Sequence, residues 1–316
     1  MSKTLSFIVP VYNEEENIRP FYEAVTKELK NLTEYEYEFI FTDNRSTDGS
    51  FGVLREIASQ DPRVRAARFS KNFGYQKSIF TGYCLASGDA VIQMDCDLQD
   101  PPELIGSLLG KWKEGFEVVY GVRKSRREGW LITQMRRAFY RVINALSEDD
   151  LPNDAGDFRL VDRKVVNQLR SIYDANPYVR GMIAAFGFRQ AGVPYDRAVR
   201  RSGESKFKLR HLCALAVDGI LNHSVVPLRL ATFTGLILST LLTLYIGTLV
   251  TIKFVFNQDW PAGFITLSAL ILMSISLNAL FLGVIGEYLG RIYRQVKRQP
   301  ISIIDQAVNL ELPSQR

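Results

Sequence analysis

The sequence predicts an α/β protein built on a mostly parallel sheet, followed by a helical membrane region. Three observations predict this. Over the first ~200 residues short β-rich runs alternate with amphipathic stretches, the pattern of βαβ units. Polar and acidic clusters stand directly after several of those runs, where a parallel sheet gathers its ligands. Two long uncharged apolar segments then occupy the last third of the chain.

Taken in order, strands are expected at Ser6–Val11, Tyr37–Thr42, Val64–Phe69, Ala90–Met94 and Glu117–Tyr120. Helices are expected between them at Glu14–Leu32, Gly52–Ser59, Tyr75–Ser87 and Pro102–Lys113. Leu230–Ile252 has about 23 residues and Trp260–Gly286 about 27, each beyond the ~20 needed to cross a bilayer. The short Lys253–Asp259 stretch between them makes the pair a transmembrane helical hairpin. Arg200, Arg201, Lys206, Lys208, Arg210 and Arg229 precede the pair, and Arg291, Arg294, Lys297 and Arg298 follow it. The positive-inside rule therefore puts both ends in the cytoplasm and the Lys253–Asp259 turn outside. Lys206–Asn222 carries one apolar stripe (Leu209, Leu212, Cys213, Ala216, Ile220) opposite His211, Asp218 and Asn222. It either packs on the preceding domain or, as its basic start favours, lies in the membrane interface. The expected organisation is an α/β domain at 1–200, a juxtamembrane amphipathic helix at 201–228, two spans at 229–290 and a cytoplasmic tail at 291–316.

Composition narrows the class. Hydrophobic residues make up 47% and charged residues 23%, which excludes disordered, collagen-like and mucin-like chains. The three cysteines show no ligand spacing, against a disulfide framework or a zinc site, and two histidines leave little for His-based catalysis. A mean hydropathy of −0.03 hides the crowding of apolar residues at the C-terminal end. The opening apolar run is too short for a signal peptide, so the first domain is expected to stay in the cytosol.

The candidate chemistry lies at the strand ends. Asp95-Cys96-Asp97 follows the apolar strand Ala90–Met94, and two carboxylates at i and i+2 there can share a hard divalent cation that also binds a diphosphate. Pro101-Pro102-Glu103 ends the loop, with Pro102 near the first position of the next helix. Pro10-Val-Tyr12-Asn-Glu14 closes the first strand, Asp43-Asn-Arg-Ser46-Thr-Asp48-Gly49 the second and Lys71-Asn72-Phe-Gly74 the third. Asp43 could accept from a base N–H or a ribose hydroxyl, or serve as a turn residue; Asp48-Gly49 reads as turn chemistry.

These motifs together resemble family 2 glycosyltransferases with the GT-A, Rossmann-like fold. More narrowly they resemble the polyisoprenyl-phosphate glycosyltransferases, relatives of dolichol-phosphate mannose synthase and the bactoprenol glucosyltransferases. The similarity extends through Arg200-x-x-Gly203-Glu-Ser-Lys206 and the closing spans. It implies that Pro10, Tyr12, Glu14, Asp43 and Asn72 line a nucleotide-sugar site, with Asp43 on the nucleotide. It implies that Asp95 and Asp97 manage a diphosphate bound to Mg²⁺ or Mn²⁺, with Gln99 beside them. Arg123, Arg200 and Lys206 would meet phosphates, and Arg137, with Arg136 and Arg141, adds an electropositive approach for a lipid phosphate or a basic face toward anionic headgroups. Asn44 stands where the family often keeps a second acidic residue. Asp157 falls near the expected acceptor, where it orients the acceptor, acts as a weak base, or caps the turn before Phe158.

The resemblance thus implies inverting transfer of one sugar, with glucose from UDP-glucose to undecaprenyl phosphate the best match. The partners are a nucleotide sugar, a polyprenyl phosphate and the membrane, with no nucleic acid. A lipid monophosphate, with a second pKa near ~6, is largely ionised at neutral pH and needs placement more than a base. Two other classes compete. A processive polysaccharide synthase would carry Gln-x-x-Arg-Trp, whereas Gln134-Met-Arg-Arg137-Ala138 lacks the Trp. A non-catalytic membrane-tethered regulator would not need Asp95, Asp97 and Gln99. Gly283, Gly286 and Gly290 have small-xxx-small spacing near the end of the second span, which predicts a homo-oligomer, a tetramer or a dimer.

Overall fold

A computed structural model describes residues 2–123, 155–196 and 263–310, together with positions 233, 235, 237, 240, 241, 244, 248, 251 and 255. Strands are β1 (Lys3–Val11), β2 (Tyr35–Asp43), β3 (Val64–Phe69), β4 (Ala90–Gln93), β5 (Val118–Arg123), β6 (Ala155–Asp162), β7 (Gln190–Tyr195) and β8 (Ile304–Val308). Helices are α1 (Glu15–Leu29), α2 (Ser50–Gln60), α3 (Tyr75–Leu85), α4 (Leu104–Lys113), α5 (Arg163–Ser171), α6 (Val179–Ala185) and α7 (Gly263–Val296).

The eight strands form one sheet in the order β7-β5-β6-β4-β1-β2-β3-β8. β3, β2, β1 and β4 run parallel, with Phe7 opposite Phe39 and Val11 opposite Asp43, so β1 and β2 finish level. From β1 the chain steps outward through β2 and β3, then returns to place β4 on the other side of β1. That reversal is a topological switch point, the crevice at which such sheets bind ligands.

Both faces of the sheet are covered, which is why the central strands read as continuous apolar runs. On one face Phe7, Val9, Phe39, Phe41 and Ile92 pack with Phe21 of α1, Leu54 of α2 and Leu108 of α4. On the other, Ile8, Ile40, Val91, Val118 and Val161 pack with Phe80 and Tyr83 of α3, Val165 and Leu169 of α5 and Ile183 of α6. The five expected strands are present, but three more join them. β6 is antiparallel to both β4 and β5 and separates them, and β7 pairs parallel to β5. β8 comes from the expected tail and pairs antiparallel to β3, so the described residues 298–310 group with the sheet-bearing unit. α4 starts at Leu104 with Glu103 in the cap position, later than Pro102, because Pro101–Glu103 form a turn whose carbonyls receive the Leu104 and Ile105 N–H groups.

A second compact unit contains 209–297 with 141–148. Its described part is α7 and helical positions from Phe233 to Val255, the last of which lies in the segment expected as a turn. α7 is 34 residues long, and Gly263–Gly286 contains no charged residue. Among the described residues no helix is long and apolar enough to cross a membrane. Phe281 packs on Gly235, where a Cβ would fall 2.8 Å from the ring. Phe233, Ile237, Leu241, Leu267, Ile271, Ile275 and Leu282 are exposed.

The entry into β4 tests the packing. A Cβ on Gly88 would lie 2.6 Å from the Thr4 carbonyl oxygen, whereas one on Gly106 in α4 would meet nothing within 4 Å. Gly88→Ala should destabilise by about 1–3 kcal/mol. Gly106→Ala should be neutral or stabilise by up to ~1 kcal/mol. Chemical denaturation of the two variants decides it, and equal stabilities would contradict this packing.

Candidate active site

The β4–β6 ladder builds the site. Gln93 pairs with Arg159, and the same register carried past the end of β4 sets Asp95 opposite Asp157. On this face the pattern runs from apolar (Val91, Val161) through polar (Gln93, Arg159) to acidic at the tip. α3 lies over the same face: Tyr83 Oη donates to Gln93 Oε1 at 3.3 Å, and Tyr75 Oη donates to Asp95 Oδ1 at 2.8 Å. Burial, then the nearby Asp157 carboxylate, pushes Asp95 up to about 7; Tyr75's hydrogen bond works against them, and Asp100 and Asp97 add to the rise. Burial, then the Asp95 and Asp157 carboxylates, push the Tyr75 phenol well above its ordinary value. A site with this excess of crowded negative charge favours a bound cation.

The turn after β4 keeps those carboxylates in place. Asp97 is buried, and its Oδ1 accepts from the Gln99 N–H at 3.1 Å, with Leu98 between them held at φ 54°. Asp100 is buried and hydrogen-bonded to Tyr195 Oη of β7. Among the described residues no group of three or more His, Cys, Asp or Glu could hold a metal alone. Asp95 and Asp97 supply at most part of a coordination shell. This suits a hard cation bound by one or two carboxylates with substrate phosphate oxygens completing it, so the donor set fits Mg²⁺ or Mn²⁺.

The loops after β1 and β2 form the adjoining wall. Asn13 and Arg45 both have positive φ, 53° and 61°, a conformation L residues seldom adopt outside tight turns and functional loops. The loops lock together: Asn13 N donates to Ser46 Oγ (2.9 Å), Thr47 N to Asn13 Oδ1 (2.8 Å), and Glu14 N to Ser50 Oγ (2.9 Å). Asp43 is fully buried; its Oδ1 accepts from Ser46 N at 3.0 Å, and Oδ2 faces Arg68 Nε at 3.3 Å. Its visible work is to shape the loop, the turn role the sequence left open. Asp48 Oδ1 accepts from Ser50 N and Oγ at the start of α2, and these bonds hold its carboxyl below the usual range against the effect of burial. Asn72 is exposed and accepts from Gly74 N at 2.9 Å, while Asn44 accepts from Phe73 N at 2.8 Å and ties the second loop to the third. Glu14 accepts from Asn17 Nδ2 and helps push the buried Cys96 thiol up, so the first loop adjoins the Asp95–Asp97 turn. Pro10 lies half-buried in β1, and Tyr12 is exposed just beyond it.

Asp95, Asp97, Gln99 and Asp157 therefore come together at the ends of β4 and β6, flanked by the loop bearing Tyr12 and Glu14. The side chain of Arg123, and the whole of Arg137, Arg200 and Lys206, lie outside the described residues; only the backbone of Arg123 is seen, closing β5. The sequence reading missed Tyr75, Arg159 and Arg180. Arg159 is buried, donates Nη2 to the Gly156 carbonyl at 3.0 Å, and has its pKa lowered mainly by burial. Its alternation with Asp157 and Val161 was the available signal for a strand. Arg180 Nη2 donates to Asp157 Oδ1 at 2.9 Å, a pairing no local pattern announces.

The shifted Asp95 makes a pH prediction. Folded, cation-free protein holds a proton on Asp95 between its ordinary value and about 7, so stability should fall as pH rises through that range. Protons and cations compete there, so Mn²⁺ binding to the free protein should weaken as pH falls through about 7. Calorimetric titration on either side of that value should show it, and Asp95→Asn should flatten the dependence. A wild-type affinity indifferent to pH would remove Asp95 from the cation site.

Residues 6–170 match the family model described as Glycosyl transferase family 2. The chain is 41% identical over 307 residues to the uncharacterized glycosyltransferase YkcC of Bacillus subtilis, covering 97% of this chain and 94% of that one. It is 37% identical over 301 residues to the SfII prophage-derived bactoprenol glucosyl transferase of Shigella flexneri, covering 95% and 97%. Its fold resembles that of the mannosyltransferase PcManGT of Pyrobaculum calidifontis, solved with GDP-Man and Mn²⁺, at a TM-score of 0.51 and 17% identity over 93% of this chain and 85% of that one. With a GT-A-like sheet and acidic residues grouped at its switch point, the chain belongs to glycosyl transferase family 2 and is a glycosyltransferase.

Proposed function

We propose that this glycosyltransferase moves one glucose from UDP-glucose to undecaprenyl phosphate, with inversion, at the cytoplasmic face of a membrane. The observation that carries the reading is that Asp95, just past the end of β4, lies close enough to Asp157 of β6 to feel its charge. One carboxylate belongs to the donor turn with Asp97 and Gln99, the other to the facing strand where an acceptor would approach. The name of the Shigella relative, a bactoprenol glucosyl transferase, supports the lipid acceptor and the glucose.

In this reading Asp95 and Asp97 hold Mg²⁺ or Mn²⁺, which when bound neutralises the leaving diphosphate. Pro10, Tyr12, Glu14, Asp43 and Asn72 form or brace the nucleotide side. The acceptor phosphate oxygen forms the new bond to the sugar C1 as the bond from C1 to the diphosphate oxygen breaks. The acceptor arrives largely ionised, so Asp157 needs only to orient it. Arg123, Arg137, Arg200 and Lys206 supply positive charge for the lipid phosphate.

The membrane part rests on the two uncharged segments and their basic flanks. Outward apolar side chains from Phe233 to Leu282 support a lipid surrounding. Gly235 receives Phe281, whereas a Cβ on Gly283, Gly286 or Gly290 would meet no described atom, which favours an intermolecular use of that stripe. Glu287 faces Arg294 at 4.0 Å on the same helix. These features support a homo-oligomer, a tetramer or a dimer.

Purified full-length protein, undecaprenyl phosphate and a panel of labelled nucleotide sugars with Mg²⁺ or Mn²⁺ test the chemistry. UDP-glucose should give a polyprenyl-phospho-glucose, excess EDTA should abolish it, and Asp97→Ala should slow it by ~100-fold or more without unfolding. Undiminished transfer in EDTA defeats the metal role; growth of a polymer defeats single transfer. For the membrane part, cysteine labelling should find position 257 outside and position 314 inside, and mass measurement in mild detergent should find more than one copy. Termini on opposite sides, or a fully active monomer, would reject those arrangements.

A further inference from the structure

Arg159 carries a cost that packing does not explain. It is 3% exposed, stands opposite Gln93 in the β4–β6 ladder, and shares the sheet face of Val161 and Tyr83. Its Nη2 donates to the Gly156 carbonyl at 3.0 Å, while its buried Nε has no hydrogen-bond acceptor among the described residues. Among those residues it forms no ion pair either. The carboxylate two residues away, Asp157, is held by Arg180, whose Nη2 lies 2.9 Å from Oδ1. In β2, by contrast, the buried Glu38 faces Arg65 at 2.7 Å and the buried Asp43 faces Arg68 at 3.3 Å. A guanidinium keeps its proton in a protein, so burial leaves Arg159 charged. A buried charge without a counter-charge costs stability, and an apolar side chain of similar length would pack there at less cost. Local rules broken in this way are concentrated at functional sites.

The surroundings indicate the function. Arg159 feels the charges of Arg180 and Asp157. Arg180 is carried by α6, which hangs from α3: the Val179 N–H donates to Gln76 Oε1 at 3.2 Å. Gln76 follows Tyr75, the partner of Asp95. Asp157 and Arg180 neutralise each other, so among the described residues the third charge leaves this corner positive. The turn after β4, with Asp95, Asp97 and Asp100, is acidic.

We propose that Arg159 is a positioning residue that makes the β6 side of the site electropositive, so that an anionic acceptor phosphate settles beside Asp157. This rests on the lipid-phosphate acceptor of the proposed function. An ionised phosphate approaching the Asp157–Arg180 pair alone meets no net charge, and the acidic turn after β4 repels it. A buried cation behind the pair acts through a low-dielectric path and is little screened by salt. Arg159 acts through this field and through Gly156, whose carbonyl it holds at the start of β6.

Binding of undecaprenyl phosphate, and of the uncharged undecaprenol, to the full-length protein in mixed micelles tests this without nucleotide sugar. Arg159→Met keeps most of the length and removes the charge. It should bind undecaprenyl phosphate about tenfold more weakly than wild type, and undecaprenol within about twofold. Arg159→Lys keeps the charge and should stay within about threefold of wild type. In transfer assays Arg159→Met should raise the KM for the lipid phosphate about tenfold, while the KM for UDP-glucose moves less than about twofold. Thermal unfolding supplies the other arm. Arg159→Met should melt within about 3 °C of wild type or above it, because a buried charge is removed. A Met variant that melts well below that range, or fails to fold, makes Arg159 structural and overturns the proposal. So does undiminished binding of undecaprenyl phosphate, an equal loss for undecaprenol, or an Arg159→Lys variant as weak as Arg159→Met. Wild-type protein that does not prefer the phosphate to the alcohol rejects the lipid-phosphate acceptor itself, and this proposal falls with it. A preference that survives Arg159→Met rejects the role of Arg159 alone.

Discussion

The antiparallel pairing of β6 with β4 is the contact on which the site depends. A parallel sheet gathers its strand ends along one edge, and β1, β2 and β4 bring Tyr12, Asp43 and Asp95 there. Alone they would make a one-sided crevice. β6 enters from the opposite direction, so its first residues, not its last, meet that edge, and Asp157 arrives near Asp95. A one-residue slip of this ladder would turn Phe158 toward Asp95 and Asp157 toward the opposite core. Phe158 and Leu160 are buried against that core, and Val161 against the other, so the hydrophobic alternation of β6 fixes the register of the acidic pair.

Holding several carboxylates together without a cation strains the electrostatics, and the surroundings show how it is managed. Asp95 has a phenol donor and takes up a proton readily; Asp157 has a guanidinium; Asp100 has the Tyr195 hydroxyl; Asp97 accepts from the backbone of its own turn. Asp95 and Asp100 are served by phenols, Asp157 by a guanidinium and Asp97 by backbone, so the four are not interchangeable. Burial and its neighbours drive Asp95 toward the neutral form, so it gains from a divalent ion beside it.

Much of this was legible in the sequence. Val64–Phe69 appears where the apolar run placed it, and the acidic turn after Ala90–Met94 stands at the tip of β4 as its position after a buried strand requires. The missed strands had physical reasons to be missed. β6 is half polar because one of its faces becomes the site, so Asp157 read as an acceptor-side or turn residue instead of part of a ladder. β7 contains Gly192 and Pro194, tolerable at a sheet edge but carrying no strand signal in the sequence. β8 is short and polar and pairs with a strand more than 200 residues earlier, which no local pattern reports. Tyr75 and Arg180 share that difficulty: each acts on a carboxylate about 20 residues away through a fold-level contact.

The return of the chain after α7 also bears on the site, and magnitudes decide how. Residues 299–309 touch three elements that support strand-end loops: Arg45 through Asp305, Thr81 of α3 through Ser302, and the end of α2 through Asn309. The Arg45–Asp305 pair is roughly 40% exposed on both sides, so it contributes at most ~1 kcal/mol and cannot be what holds the segment. The backbone ladder of β8 on β3 is a better candidate, together with Asn309, whose amide donates to both the Ala58 and Val64 carbonyls at 2.8 and 2.9 Å. Those bonds also cover the outer edge of β3, which would otherwise present unpaired backbone groups. The segment that leaves the helical unit therefore closes the sheet on the side of the nucleotide loops, and α3, which positions Tyr75 and Gln76, is pinned from that side by Ser302. The same helix that distributes partners between Asp95 and Asp157 is thus held at both the acceptor and the tail side, and its placement is a property of the whole sheet-bearing unit.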